Sequence, residues 1–176
     1  IVIDGLVLAL PARVRAYLAL RASGLDIHSV SDRDAAFPLG NFTATSSQCS
    51  SGFFADEVET FEAAEEVAAV ISAGACGVIG VDATDASSPA FLGRMPIPSG
   101  RAEETAGSDS AEGGNRILYV ASFNQGLRIF EQIGECVPND CPVEPRGSIG
   151  ANSNWGSSLA LSLELDFSQE GPPRLL

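Results

Sequence analysis

An internal repeat limits what this chain can become more than any other feature. Three segments align without gaps: Tyr17-Leu-Ala-Leu-Arg-Ala-Ser-Gly24 running on to Asp32, Val70-Ile-Ser-Ala-Gly-Ala-Cys-Gly77 running on to Asp85, and Tyr119-Val-Ala-Ser-Phe-Asn-Gln-Gly126 running on to Gly134. Each puts Tyr or Val seven residues before a glycine and Leu or Val directly after it. Gly24, Gly77 and Gly126 fall 53 and 49 residues apart, a spacing that suits one propeller blade per repeat. The first two units stay in step further on, because Asp32 to Gly40 and Asp85 to Gly93 are equally long and carry Phe37-Pro-Leu39 and Phe91-Leu92 before the glycine.

Each unit reads as a hairpin: a β-rich run, a turn closed by glycine, and a second β-rich run ended by Asp and small polar residues. Glycine supplies the positive φ that a tight turn requires. Asp32 and Asp85 are placed to accept hydrogen bonds from their own downstream backbone. In the third unit the returning strand alternates, with Leu127, Ile129 and Ile133 apolar against Arg128 and Gln132, although Phe130 and Glu131 blur the pattern.

On these residues the chain resembles the LVIVD-repeat proteins, whose units combine a Tyr-Val-Ala strand, Gly-Leu-Arg-Ile, and then Val-Asp-Val-Ser-Asp-Pro and Leu-Leu-Gly. Tyr119-Val-Ala-Ser and Gly126-Leu-Arg-Ile-Phe match the first half; Val81-Asp-Ala-Thr-Asp85 and Ser88-Pro-Ala-Phe-Leu-Gly93 match the second. The resemblance covers roughly residues 17 to 131. It implies a β-propeller or propeller-like array in an exported, often surface-associated protein, and it transfers no catalytic residue. Departures exist: the first unit has Asp26 and His28 where the pattern prefers Arg and an aliphatic residue, and the third has Gln132-Ile-Gly-Glu-Cys136 in place of the Ser-Asp-Pro turn.

The expected architecture is all-β, with about three propeller-type antiparallel units near residues 17–40, 67–93 and 116–134 inside a repeat region 1–146. A tail with one strand, 147–176, follows. Three units are few for a closed ring. The chain is therefore expected to be a piece of a longer repeat protein or to be completed by neighbouring subunits. Ile1 to Leu10 reads as a buried strand, being too short for a membrane span and lacking the basic start of a signal peptide. Asp56 to Glu66 has the strong helix formers Glu62-Ala-Ala-Glu-Glu66 and reads as a short helix, with a loop as the alternative. Gly100 to Asn115, rich in Ser, Gly, Ala and acids, reads as a long exposed loop, as does Gly147 to Gly156. Leu159 to Phe167 alternates strictly and is the cleanest strand signal. The chain does not begin with methionine and holds only Met95, which suggests processing or a segment of something longer.

Lysine is absent: ten arginines face 23 acidic residues, for a formal charge of −13. That field repels phosphate backbones and anionic surfaces, so nucleic acid is a poor partner and no membrane span is expected. Without lysine the chain has no Walker-type phosphate loop and no Schiff-base chemistry.

Four cysteines suit an oxidising compartment, extracellular, cell-surface or periplasmic. Cys136 and Cys141, separated by the turn-like Val-Pro-Asn-Asp, are expected to bridge each other, and Cys49 and Cys76 to form the second bridge. Four reduced thiols are the alternative, and zinc would also need these cysteines with His28, without the usual paired spacing. His28 is the only histidine, so any Ser-His-Asp or Cys-His set must use it; Asp26 and Ser29 are its neighbours, and adjacent strand residues point to opposite faces. Calcium is the one cofactor the composition leaves open, with Asp82 and Asp85 read first as turn formers. Asn41-Phe-Thr43 satisfies the glycosylation sequon. Phe53, Phe54 and Trp155 are read as packing residues ahead of contact residues.

The function expected from these features is a noncatalytic extracellular or surface-associated binding or structural module, with a protein or glycan partner, forming part of an oligomer or larger assembly. The rival is a calcium-dependent propeller hydrolase. That enzyme would need carboxylates converging from several units, and only Ser29, Asp82 and Glu131 share a repeat position.

Overall fold

The computed structural model describes residues 14–32, 34–63, 66–98, 100–109, 116–123, 125–132 and 142–149, with the short strands at 2–3, 6–7, 165–166 and 174–175. Among them are strands and turns but no helix. At the start β1 (Val2–Ile3) pairs with β2 (Leu6–Val7). Sheet one is the meander β3 (Arg15–Ala19), β4 (Leu25–Ser29) and β5 (Phe37–Phe42). Sheet two runs β6 (Glu57–Ala63), β7 (Glu66–Ser72), β8 (Val78–Asp82) and β9 (Ala90–Met95). Sheet three runs β10 (Arg101–Asp109), β11 (Arg116–Phe123), β12 (Gly126–Gln132) and β13 (Val143–Ile149). Last, β14 (Leu165–Asp166) pairs with β15 (Arg174–Leu175). Every pairing is antiparallel.

The repeat is visible in hydrogen bonds as well as in letters. In unit one Leu20 N donates to Gly24 O at 2.7 Å and Ser23 N to Leu20 O at 3.0 Å; in unit two Ala73 N donates to Gly77 O at 2.8 Å and Cys76 N to Ala73 O at 3.0 Å. Gln125 N donates to Ser122 O at 3.2 Å in unit three. Three residues past each turn glycine the ladder slips by one residue, after Ile27, Gly80 and Ile129. The partner just before each slip is a glycine: Gly40, Gly93 and Gly147. The extra residue on the outer strand is Leu39, Leu92 and Arg146 in turn. Such a bulge sharpens the local twist, and having it at one place in all three units gives the sheets one shape for stacking.

Gly147 places β13 in the third unit, whose pairing with β12 runs from Gln132↔Val143 to Leu127↔Ile149 and so continues past residue 146. The distance from turn glycine to bulge glycine is 16 residues in units one and two and 21 in unit three. The added length falls between β12 and β13.

Sheet two is the middle layer. Ala69, Ile71 and Ala73 on β7 and the following turn, with Ile79 and Val81 on β8, pack against Tyr17, Ala19, Leu25, Ile27 and Phe42 of sheet one. Val70, Val78 and Met95, on the other face, pack against Ala102, Leu118, Val120 and Phe130 of sheet three. A strand covered on both sides needs no polar face, which is why β7 reads as an almost unbroken apolar run.

Four sequence expectations are corrected, the first in the tail 147–176: strand β13 covers the start of the loop expected over 147–156, and two short strands, β14 and β15, stand where one was expected. The helix expected within 56–66 is strand β6, paired with β7 from Glu57↔Ser72 to Ala63↔Glu66. Val58 serves the first core and Phe61 the second, so burial of both faces outweighs the helix propensity of the Glu and Ala residues. The loop expected over 100–115 contains strand β10, which pairs with β11 from Arg101↔Phe123 to Asp109↔Arg116. Its small residues permit close approach: a side chain at Gly107 would collide with the Phe61 ring of β6. The single strand expected over residues 1–10 is replaced by the β1–β2 hairpin.

Candidate functional site

The turn end of the stack is built from the repeat glycines. Gly24, Gly77 and Gly126 have φ of 92°, 82° and 72°. Side chains on Gly24 and Gly77 would strike the Phe42 and Met95 carbonyls. The carbonyl before the glycine is held from the bulged strand in two units: Asn41 Nδ2 donates to Ser23 O at 3.1 Å, and Arg94 Nε donates to Cys76 O at 2.9 Å. Cys76 is also disulfide-bonded to Cys49, with Cα atoms 5.6 Å apart, tying the β5–β6 connection to the second turn. Cys136 and Cys141 lie outside the described residues, as does Trp155.

Successive units are laced together at this end. Arg21 N and O pair with Ala55 O and N, both at 2.9 Å; Gly74 and Ala102 repeat the exchange at 3.2 and 3.0 Å. Arg21 is the only non-glycine at positive φ among the described residues, at 53°, where its repeat equivalent Gly74 has 56°. Its guanidinium lies 5.3 Å from the centre of the Phe54 ring. Phe53 packs edge-on to Phe42 at 6.1 Å, so both phenylalanines serve packing.

Between sheets two and three lies a polar layer. Ser72 Oγ and Thr105 Oγ1 are 2.5 Å apart, and Thr105 N donates to Glu57 Oε2 at 3.1 Å. Burial pushes the Glu57 carboxyl up to about 7, against the pull of the Thr105 N–H, and the nearby Glu59 and Glu104 charges add to the rise. Burial raises Glu59 as well. Strands β6 and β10, the source of these acids, were missed by sequence reasoning, as was β13, and Glu at the alternate positions 57 and 59 was the available signal for β6.

The aspartates expected in turns are there. Asp32, Asp82 and Asp85 each accept a backbone N–H two residues on, from Asp34, Thr84 and Ser87, at 3.0 Å. The Ser87 hydroxyl and N–H hold the Asp85 carboxyl below its ordinary range. Glu131 is buried and takes Arg146 Nε. Among the described residues no three His, Cys, Asp or Glu side chains converge with the geometry of a metal site.

Asp26 and His28 are two residues apart and so share a face, with His28 Nε2 3.8 Å from Asp26 Oδ2. Ser29, one residue on, is turned to the other face, so the three form no triad. Asn41 is exposed, but its amide nitrogen already donates to Ser23 O, Leu25 O and Asp26 Oδ1, and Thr43 Oγ1 donates to Ser23 O. Both sequon side chains thus brace the first turn.

What stands open is sheet one. Its inner face packs on sheet two; the outer face carries Ala16, Leu18, Asp26 and His28, with Pro38 and Asn41 from β5. Leu18 is 41% exposed, Leu20 42% and Val14 51%, and all three fall on this side by alternation. In sheet two the same repeat positions as Leu18, Asp26 and His28 are Ile71, Ile79 and Val81, all fully buried. Comparison with protein-family models, with curated proteins and with solved structures found no match to this chain. Among the described residues no helix is long and apolar enough to cross a membrane.

Proposed function

We propose that the chain is a noncatalytic module of propeller type, extracellular or surface-associated, that works as a repeat subunit of a larger assembly, as its likeness to LVIVD-repeat proteins implies. The observation that carries this reading is the outer face of sheet one. It presents Val14, Leu18 and Leu20 to solvent at positions that sheet two buries against its neighbour. An apolar strip along β3 beside the polar Asp26, His28 and Asn41 is a surface that a protein partner could cover. Scattered exposed leucines mean little; here they are clustered on one stackable sheet face. The Cys49–Cys76 disulfide supports an oxidising compartment. A noncatalytic role is favoured because the one histidine is half-buried and, among the described residues, pairs with Asp26 alone.

Sedimentation at micromolar concentration tests the reading. The wild-type protein should associate, and Leu18→Arg, a change on an exposed side chain, should leave a folded monomer. A wild-type protein that is monomeric throughout, or association that Leu18→Arg leaves intact, would remove the outer face as the working surface.

A further inference from the structure

Among the described residues sheets two and three have four strands and sheet one has three, and the difference lies at one edge. In β3 the backbone groups of Val14 and Leu20 face β4, as the bonds Val30 N to Val14 O and Leu20 N to Gly24 O show. Those of Arg15, Tyr17 and Ala19 therefore point away from β4. In sheet two the equivalent residues are Ala68, Val70 and Ser72, which pair with Phe61, Glu59 and Glu57 of β6. In sheet three they are Ile117, Tyr119 and Ala121, which pair with Ser108, Ala106 and Glu104 of β10. Among the described residues nothing pairs with Arg15, Tyr17 and Ala19 on that side. The strand that precedes them, β2, pairs with β1 instead.

Among the described residues the surroundings of this edge repeat those of sheet two. Arg21 already pairs with Ala55 just beyond it, as Gly74 pairs with Ala102 beyond the edge that β6 fills. β10 packs against both β7 and β6, whereas β6 packs against β3, which among the described residues has no further strand on its open side. We infer that the open edge of β3 is a strand-addition site, which takes an extended acidic segment from another protein chain in the register that β6 and β10 hold in their own sheets. This rests on the reading of the chain as a binding module and names the partner's chemistry. An unpaired strand edge is a template for an incoming strand, whose main-chain hydrogen bonds give affinity while alternate side chains give specificity.

The acidic preference comes from charge and from the two internal examples. Arg15 and Arg21 lie one at each end of the edge and keep their charge there, the Arg15 guanidinium donating to the Ala83 and Thr84 carbonyls and the Arg21 guanidinium lying over the Phe54 ring. The strands that fill the equivalent edges carry Glu57, Glu59 and Glu62 in β6, and Glu103 and Glu104 in β10. In the register of β6, Phe61 would lie opposite Arg15, a contact of the kind that Arg116 makes with the Phe61 ring at 5.1 Å.

The test uses the intact protein, a synthetic peptide of the β6 sequence Glu57 to Ala63, and residue-resolved amide hydrogen exchange. Without peptide, the amides of Arg15, Tyr17 and Ala19 should exchange far faster than those of Ala16 and Leu18, which bond to β4. Saturating peptide should slow the first three by at least about tenfold and leave Ala68, Val70 and Ser72 unchanged. A peptide of the same composition in scrambled order should have no effect. Tyr17→Pro deletes an N–H that β4 does not use, so it should abolish the peptide effect while Leu25 and Ile27 stay protected. Slow exchange at Arg15, Tyr17 and Ala19 before any peptide is added, no change on addition, or slowing confined to β7 would overturn the inference. Peptide protection without self-association would keep the edge and reject the outer face; the reverse would do the opposite.

Discussion

Sheets one and two share a turn, a bulge and a backbone course, yet they live in different surroundings. Ile71, Ile79 and Val81 sit in sheet two with no solvent exposure, while Leu18, Asp26 and His28 hold the same repeat positions on a face that water reaches. The difference teaches that the hairpin is specified locally, by glycine and strand alternation, whereas side-chain character on each face follows what lies beyond it. Sheet one carries polar residues at positions that sheet two, covered by a neighbouring sheet, fills with apolar ones.

The sharpest way to break that comparison is truncation at one matched position. Ile71→Ala should cost about 3 kcal/mol and Leu18→Ala about 0.5 kcal/mol or less in denaturant unfolding. Equal losses would mean that the two sheets are covered alike.

The second contrast concerns how the turns are held. Reducing Cys49–Cys76, whose cysteines are 27 residues apart, should destabilise by about 3 kcal/mol. Asn41→Ala, which frees the first turn, should cost only about 1 kcal/mol. A larger loss at Asn41 would reverse the order of the two clamps.

The two interlayer spaces also differ in chemistry, since the one between sheets two and three holds the Glu57 carboxyl. Its folded value of about 7 exceeds the ordinary 4.5, so the folded state binds the extra proton between those values. The stabilisation is complete below pH 4.5 and is lost as pH rises through 7. Because the group is partly solvated, the loss should be about 1–2 kcal/mol. Glu57→Gln, which can still accept from Thr105 N, should flatten this dependence in thermal unfolding between pH 5 and about 8. A variant as pH-sensitive as the wild type would place the titration elsewhere.

The smallest effect is expected at Arg21, which holds the backbone conformation that Gly74 holds one unit later. Arg21→Gly should relieve strain and lose the Phe54 contact, for a net change within about 0.5 kcal/mol. Gly74→Ala should be the costlier exchange, at about 1 kcal/mol, because positive φ is combined there with an Arg101 nitrogen 3.3 Å from the new methyl.

The central hairpins were legible because their signals are local: a turn glycine, alternating apolar residues, and an aspartate that closes on its own chain at Asp32 and Asp85. The first strands of sheets two and three were not. β6 is written in Glu and Ala, good helix formers, and becomes a strand only because β7 offers a ladder and two neighbouring sheets take Val58 and Phe61. β10 is written in small residues, which read as loop until Phe61 is seen against Gly107. Gly147 escaped an ungapped alignment because the connection before β13 is longer than in the other units. The open face of sheet one is a property of stacking, and no single residue announces it.

The account depends most on the three units being one structure repeated. Cross-strand nuclear Overhauser effects decide this directly, because each bulge fixes a distinctive pair: Ile27 with Gly40, Gly80 with Gly93, and Ile129 with Gly147. All three pairs should be seen, each followed by a one-residue slip to His28–Pro38, Val81–Phe91 and Phe130–Pro145. A third unit in which Gly147 faces another residue, or in which the slip is missing, would contradict the repeat and with it the matched positions on which the open face and edge of sheet one are defined.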